Sequence, residues 1–217
     1  MRFLWVHGFA SGPSSSKGRF ARDRLHERGV ELAIPDFNEP SFFDLTVSRM
    51  LTRIDGLAGE DEPAILFGSS LGGFAAATWA AMRPERARAL VLLAPAFDLA
   101  PRWAARMGPQ EVAQWRRRGR YAFDHYARGR KEELSWAFLE DAGRHQGFPL
   151  PRCPTLVIQG SRDEVVDPAL AREFVRRMEG RARLIELDEG HELTADLPAL
   201  WKRIERFLAA QALLPTP

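Results

Sequence analysis

"ILFGSSLGGFAAATWAAMRPE", residues 65–85, joins a short apolar run to an alanine-rich segment through clustered glycines and two adjacent serines. The apolar run reads as a buried strand. "FAAATWAAM" reads as a helix, since alanine has the best intrinsic helix propensity. Between them, Gly68-Ser69-Ser70-Leu71-Gly72 matches G-x-S-x-G. A side chain presented on a sharp strand-to-helix turn has neighbours crowded by backbone, so the positions two before and two after it must be small. Ser70 is the central residue of that pattern and Ser69 points elsewhere. A plain glycine-rich turn would have the same local sequence, so the rest of the chain must discriminate.

Working outward, short apolar runs alternate with longer amphipathic segments. The expected strands are 2–7, 31–37, 64–69, 89–95, 155–160 and 183–188, with helices near 17–28, 41–57, 71–82, 168–179 and 192–211. Most of the strand runs are continuously apolar, as in strands buried on both faces. Such alternation implies βαβ units, so the fold class is α/β with a mostly parallel six-stranded sheet flanked by helices. The stretch 98–153 breaks the rhythm with no convincing strand. It carries Trp103, Trp115, Trp136, Tyr121, Phe123, Tyr126 and Phe138. It is expected to be a cap of several helices inserted into a single domain spanning 1–217.

A serine hydroxyl needs a base, and the base needs an orienting acid. In this architecture the chain order is serine, acid, histidine, with the last two beyond late strands. "TLVIQGSRDEVVD" puts Asp163 in the turn after one strand, and "RLIELDEGHEL" puts His191 in the loop after the next. Both positions fall at the strand C-termini, the edge of an open α/β sheet where ligands bind. Asp167, just before Pro168, reads as a helix cap. Glu164 and Asp188 are weaker alternatives for the acid. Of the five histidines, only His191 has the required order: His7 ends a strand, His26 lies on a polar helix, and His125 and His145 fall in the insert. An oxyanion hole needs two backbone N–H donors. The amide of Leu71 supplies one, and the loop "HGF" after the first strand supplies the other from Phe9, or failing that Ala10.

The set "HGF", "GSSLGG", "GSRDEVV" and "EGH", in this order and at strand ends, resembles the α/β-hydrolase superfamily of serine hydrolases. Within it, "HGFASGPSSSKGRFARDRL" followed by "IPDF" is similar to the small YqiA-like esterases. The likeness covers most of 1–97 and 154–210. It implies a hydrolase of carboxylic esters or thioesters that works without cofactor or metal, with Ser70 as nucleophile, His191 as base, Asp163 as acid, and Phe9 and Leu71 as oxyanion donors. An esterase forming an acyl-enzyme is the first reading. A thioesterase using the same residues is the second, with arginines of the insert holding an anionic carrier. A non-catalytic binding relative is the third, disfavoured because every triad position is filled.

Composition excludes other classes. Hydrophobic residues make up 45% and charged residues 28% of the 217, as in a globular protein. The longest apolar runs, such as "ALVLLAPAF" (89–97), fall short of the roughly 20 residues that span a bilayer, so no membrane role is expected. The opening "MRFLWVH" is too short for a signal-peptide apolar region. The single Cys153 excludes an internal disulfide. Together these features imply a cytoplasmic protein. The net charge is +2 and the isoelectric point about 9.0, nearly all cations being arginine. The densest basic run, "WRRRGR" (115–120), comes without zinc ligands or an RNA-binding signature and reads as a solvated helix face, so no nucleic acid is expected. The expected partner is a small-molecule ester or thioester, and nothing in the sequence sets an oligomeric state.

Overall fold

The computed structural model describes residues 1–59 and 62–215. Six strands form one all-parallel sheet: β1 (Arg2–Val6), β2 (Leu32–Ala33), β3 (Ala64–Ser69), β4 (Ala87–Leu93), and two later strands, β7 (Thr155–Gly160) and β8 (Ala182–Leu187). Their spatial order is β2-β1-β3-β4-β7-β8. The chain steps from β1 outward to β2, then returns to the other side of β1 and continues in that direction. The order therefore reverses between β1 and β3, where Val6 is in register with Gly68. A crevice opens at such a reversal, beyond the carboxyl ends of the strands.

The continuous apolar runs follow from burial on both faces. Leu4, Val6, Leu66, Leu90, Leu92 and Val157 face one core, with α2 (Val47–Ala58), α3 (Leu71–Met82) and α7 (Pro168–Arg177). Phe3, Trp5, Ile65, Phe67, Val91, Leu93, Leu156 and Ile158 alternate with them to face the other, with α1 (Ser16–His26) and α8 (Leu197–Ala210). Helix α3 is buried along nearly its whole length, which accounts for its alanines: small side chains let the helix approach the sheet closely. Capping sets two helix starts later than periodicity alone predicts. The Thr46 side chain accepts from the Arg49 amide and begins α2, and Asp196 accepts from the Ala199 amide and begins α8. Strand β2 is only two residues long; Pro35, two positions beyond it, has no amide to donate to a ladder.

The stretch between β4 and β7 departs from the all-helical expectation. It contains α4 (Leu99–Met107), α5 (Pro109–Arg118), an antiparallel hairpin of β5 (Arg120–His125) and β6 (Arg130–Ser135), and α6 (Ala137–Ala142). Tyr121, Phe123 and His125 are more buried than the Arg120, Ala122 and Asp124 that separate them. That period of two is a strand signal, obscured in the sequence by the arginines around it. The hairpin closes through a 3₁₀ turn at Tyr126–Arg128 and Gly129, whose φ of 62° favours glycine. The arginines of the basic run, Arg116, Arg117 and Arg118, lie exposed at the C-terminal end of α5, where cations meet the negative end of the helix dipole. Among the described residues no helix is long and apolar enough to cross a membrane.

Candidate active site

Ser70 sits between β3 and α3 with φ 53° and ψ −117°, in the left-handed half of conformational space. Hydrogen bonds hold it there. Its amide donates to the Leu93 carbonyl at 2.9 Å, and its own carbonyl accepts from the amides of Gly73, Phe74 and Ala96. The flanking glycines are steric requirements. A Cβ on Gly68 would lie 2.5 Å from the Gly72 carbonyl oxygen, and one on Gly72 would run into the carbonyl of Val6. Backbone strain of this kind persists only where the surroundings over-determine it, and it concentrates at functional sites.

The loops after β7 and β8 are fastened to each other. Ser161 N donates to Leu187 O at 2.7 Å and Arg162 N to Glu189 O at 3.0 Å. Gly160 must lack a side chain, because a Cβ there would meet the Glu189 and Gly190 carbonyls. This brings Asp163 and His191 together: His191 Nδ1 lies 2.8 Å from Asp163 Oδ2, and His191 Nε2 lies 3.1 Å from Ser70 Oγ. A carboxylate only accepts hydrogen bonds, so Nδ1 carries the proton and Nε2 is free to accept from the serine hydroxyl. The Asp163 side chain is fully buried. Burial by itself would raise its pKa. Hydrogen bonds from His191 and from the amides of Val166 and Val165 outweigh that and hold the carboxyl below its ordinary value.

The other acidic candidates are occupied elsewhere. Asp167 accepts from the Ala169 amide and caps α7, as its position before Pro168 predicts. Asp188 is exposed and pairs with Arg162, and Glu164 lines the cavity but, among the described residues, makes no hydrogen bond or ion pair with His191. Phe9 and Leu71 line the same cavity as Ser70, and among the described residues neither amide donates to a protein acceptor. The "HGF" turn is held by His7, which is buried. Its Nε2 accepts from the Phe37 amide at 2.9 Å, and its Nδ1 lies 2.9 Å from the Gly8 carbonyl. The Ala10 alternative has φ 53°, and its carbonyl accepts from Ala127 in the insert.

The cavity above Ser70 measures about 1220 Å³. Part of its wall is aromatic. The Phe9 ring packs against Trp103 at 4.9 Å, Phe42 at 5.3 Å and Phe123 at 5.4 Å between centroids. Trp103, Tyr121, Phe123 and Tyr126 reach the cavity, whereas Trp115 and Trp136 do not. Trp115 is fully buried inside the insert with its indole N–H on the Leu134 carbonyl, so it serves the insert's own core.

Sequence reasoning missed three side chains near this centre. Gln159, buried at the end of β7, donates to Asp163 Oδ2 at 2.8 Å; a polar residue closing an apolar strand was the available signal. Lys17, one of only three lysines, reaches across to the carbonyl of Glu192, next to the histidine. Arg102 donates to the carbonyls of Phe97 and Val165 on the cavity wall. No cluster of His, Cys, Asp and Glu capable of holding a metal occurs among the described residues.

The chain belongs to the family described as "Uncharacterised protein family (UPF0227)", whose model matches residues 2–209. It is 32% identical over 128 residues to the mouse (Mus musculus) palmitoyl-protein thioesterase ABHD10, mitochondrial; the match takes in 54% of this chain and spans 40% of that protein's length. Solved structures similar in fold include mouse alpha/beta hydrolase domain-containing protein 10, with TM-score 0.77, 22% identity, and coverage of 96% of this chain and 89% of the other. Est1E from Butyrivibrio proteoclasticus gives 0.69, 20%, 96% and 87%. A monoacylglycerol lipase from Paleococcus ferrophilus gives 0.72, 19%, 97% and 93%. The fold is that of the α/β-hydrolase superfamily, as the resemblance implies.

Proposed function

We propose that this protein is a serine carboxylesterase acting through an acyl-enzyme. The observation that carries this reading is the unbroken hydrogen-bonded series Asp163–His191–Ser70 on the wall of a cavity large enough for a small ester. Ser70 Oγ attacks the ester carbonyl carbon while His191 Nε2 takes the hydroxyl proton. Asp163 stabilises the resulting imidazolium and keeps the ring in the productive tautomer. The carbonyl oxygen becomes an alkoxide facing the amides of Leu71 and Phe9, with the positive end of α3 adding to its stabilisation. Collapse of this intermediate expels the alcohol, which takes the proton from His191. Water then attacks acyl-Ser70, giving its proton to His191, and the second collapse returns that proton to Ser70 and releases the acid. No cofactor enters any step.

A thioesterase reading is supported by the mouse relative, described as a palmitoyl-protein thioesterase, and by Arg102 and Arg106 on the cavity wall, neither of which has a carboxylate within ion-pair distance among the described residues. The same residues would serve, with a thiol leaving in place of the alcohol. The test is covalent labelling by a fluorophosphonate, followed by comparison of p-nitrophenyl esters with acyl thioesters of equal chain length. Labelling that is lost in Ser70→Ala, together with higher kcat/KM on the oxygen esters, supports the esterase. An unlabelled folded protein would leave a binding role.

A further inference from the structure

On the α1 side of the sheet, the cavity wall carries hydrogen-bond donors that the reaction outlined above does not use. Trp5 is 1% exposed, and among the described residues its indole N–H has no partner. Ser15 Oγ is also buried without a partner among the described residues. Lys17 is 9% exposed, and its ammonium donates to the Glu192 carbonyl; no carboxylate lies within ion-pair distance of it among the described residues. Ser15 is also the N-cap residue of α1, and its side chain makes no cap hydrogen bond. The amides of Ser16, Lys17 and Gly18 in the first helical turn find no protein acceptor among the described residues.

These groups converge. A Cβ on Gly18 would stand 2.8 Å from Ser15 Oγ and 3.0 Å from Trp5 Nε1, so the glycine is what lets these two donors come together against the start of α1. Trp5, Ser15, Ser16 and Lys17 all line the cavity that holds Ser70. Buried indole N–H groups ordinarily find an acceptor, and a buried ammonium with no carboxylate in direct contact leaves hydrogen-bonding capacity unused. The set offers almost only donors, one full positive charge and the positive end of an 11-residue helix. A ligand bearing one negative charge satisfies it. The nearby Glu192, Asp163 and Glu189 carboxylates disfavour a dianion.

We propose that this wall binds a free carboxylate carried by the substrate, so that the preferred substrates are esters with an ionised acid group beside the scissile bond. The proposal rests on the esterase reading and narrows its substrate class. The acid could sit on either side of the ester, and two substrate pairs separate these cases. On the acyl side, mono-p-nitrophenyl glutarate is compared with p-nitrophenyl hexanoate. On the alcohol side, m-acetoxybenzoate is compared with its methyl ester. In at least one pair, kcat/KM for the acid is expected to exceed that for the neutral ester by about tenfold or more, as charge-assisted hydrogen bonds supply. Lys17→Met should lower that ratio at least tenfold, and Ser15→Ala should lower it by less.

A ratio at or below one in both pairs for the unsubstituted protein would overturn the proposal, whether or not the variants fold. Equal loss on both members of a pair in Lys17→Met would also overturn it, because the lysine would then serve only to hold the loop carrying His191. Hydrolysis of neutral esters alone rejects the carboxylate site and leaves the esterase reading standing. Hydrolysis of none of the four rejects both.

Discussion

His191 Nε2 lies 3.1 Å from Ser70 Oγ although 121 residues separate the two in the chain. The contact exists because both residues follow parallel strands of one sheet and so emerge at the same edge. Ser70 follows β3 beside the reversal in strand order, and His191 follows the edge strand β8. Between them, the loop after β7 supplies Asp163, fastened to the His191 loop by backbone hydrogen bonds. The distance across the sheet is closed by loops and not by the strands themselves.

Ser70→Ala is expected to abolish hydrolysis, at a cost on the order of 10⁶ in kcat. Ser69→Ala should keep most of the activity, since among the described residues the Ser69 hydroxyl makes no hydrogen bond to a neighbouring group. Steady-state kinetics on p-nitrophenyl acetate check both. An active Ser70→Ala beside a dead Ser69→Ala would mean that the turn presents the other serine.

Asp163→Asn should lower kcat by roughly 10⁴ while the protein still folds. Two donors, His191 Nδ1–H and Gln159 Nε2–H, converge on Asp163 Oδ2, and an amide NH₂ there would oppose both. Asp167→Asn should be nearly silent, because asparagine caps a helix about as well as aspartate. Circular dichroism with kcat for each variant decides; equal losses at both positions would show that the acid is not Asp163.

The insert's tryptophans should separate by position. Trp103→Ala opens the cavity wall beside Phe9 and should shift the preferred acyl chain length, at about 1–3 kcal/mol per methylene of discrimination. Trp115→Ala removes a fully buried ring outside the cavity and should cost about 3–5 kcal/mol of stability. Comparing kcat/KM for acetate, butyrate and octanoate esters, with urea unfolding of each variant, tests the division. An unchanged length profile in folded Trp103→Ala would remove that residue from the substrate site.

Asp141 ties the insert to the main body. It accepts from the Ser48 amide at 2.8 Å and from the Ser48 hydroxyl, and lies 3.5 Å from His145 Nε2. Burial would raise its pKa, but hydrogen bonds from His145 and Ser48 outweigh that and hold it at about 2, below the ordinary 3.8. Because the folded-state value is depressed, its contribution is fully present above the unfolded pKa and is lost as pH falls through the folded one. The native protein should therefore lose up to about 2 kcal/mol between roughly pH 4 and pH 2 that Asp141→Asn does not lose. Urea midpoints across that range measure the difference, and parallel curves would reject the assignment.

The parallel sheet, the tight turn at Ser70 and the placement of Asp163 and His191 just beyond late strands were legible in the sequence because each is written locally. Two-sided burial makes a strand continuously apolar, a tight turn demands glycine at Gly68 and Gly72, and strand ends point to one edge. Other features were not legible. The period of two in Tyr121, Phe123 and His125 is hidden among arginines, so the sequence predicts helix where the hairpin forms. Among the aromatic residues of the insert, only packing decided that Trp103 faces the cavity while Trp115 serves the insert's core. Likewise, only the fold brought Lys17 of the first helix to the carbonyl beside His191 and left Trp5 and Ser15 without partners among the described residues. Local pattern records which backbone conformation a segment can adopt and which face it buries. What a buried polar side chain meets depends on elements far away in the chain, and that is settled only when they pack.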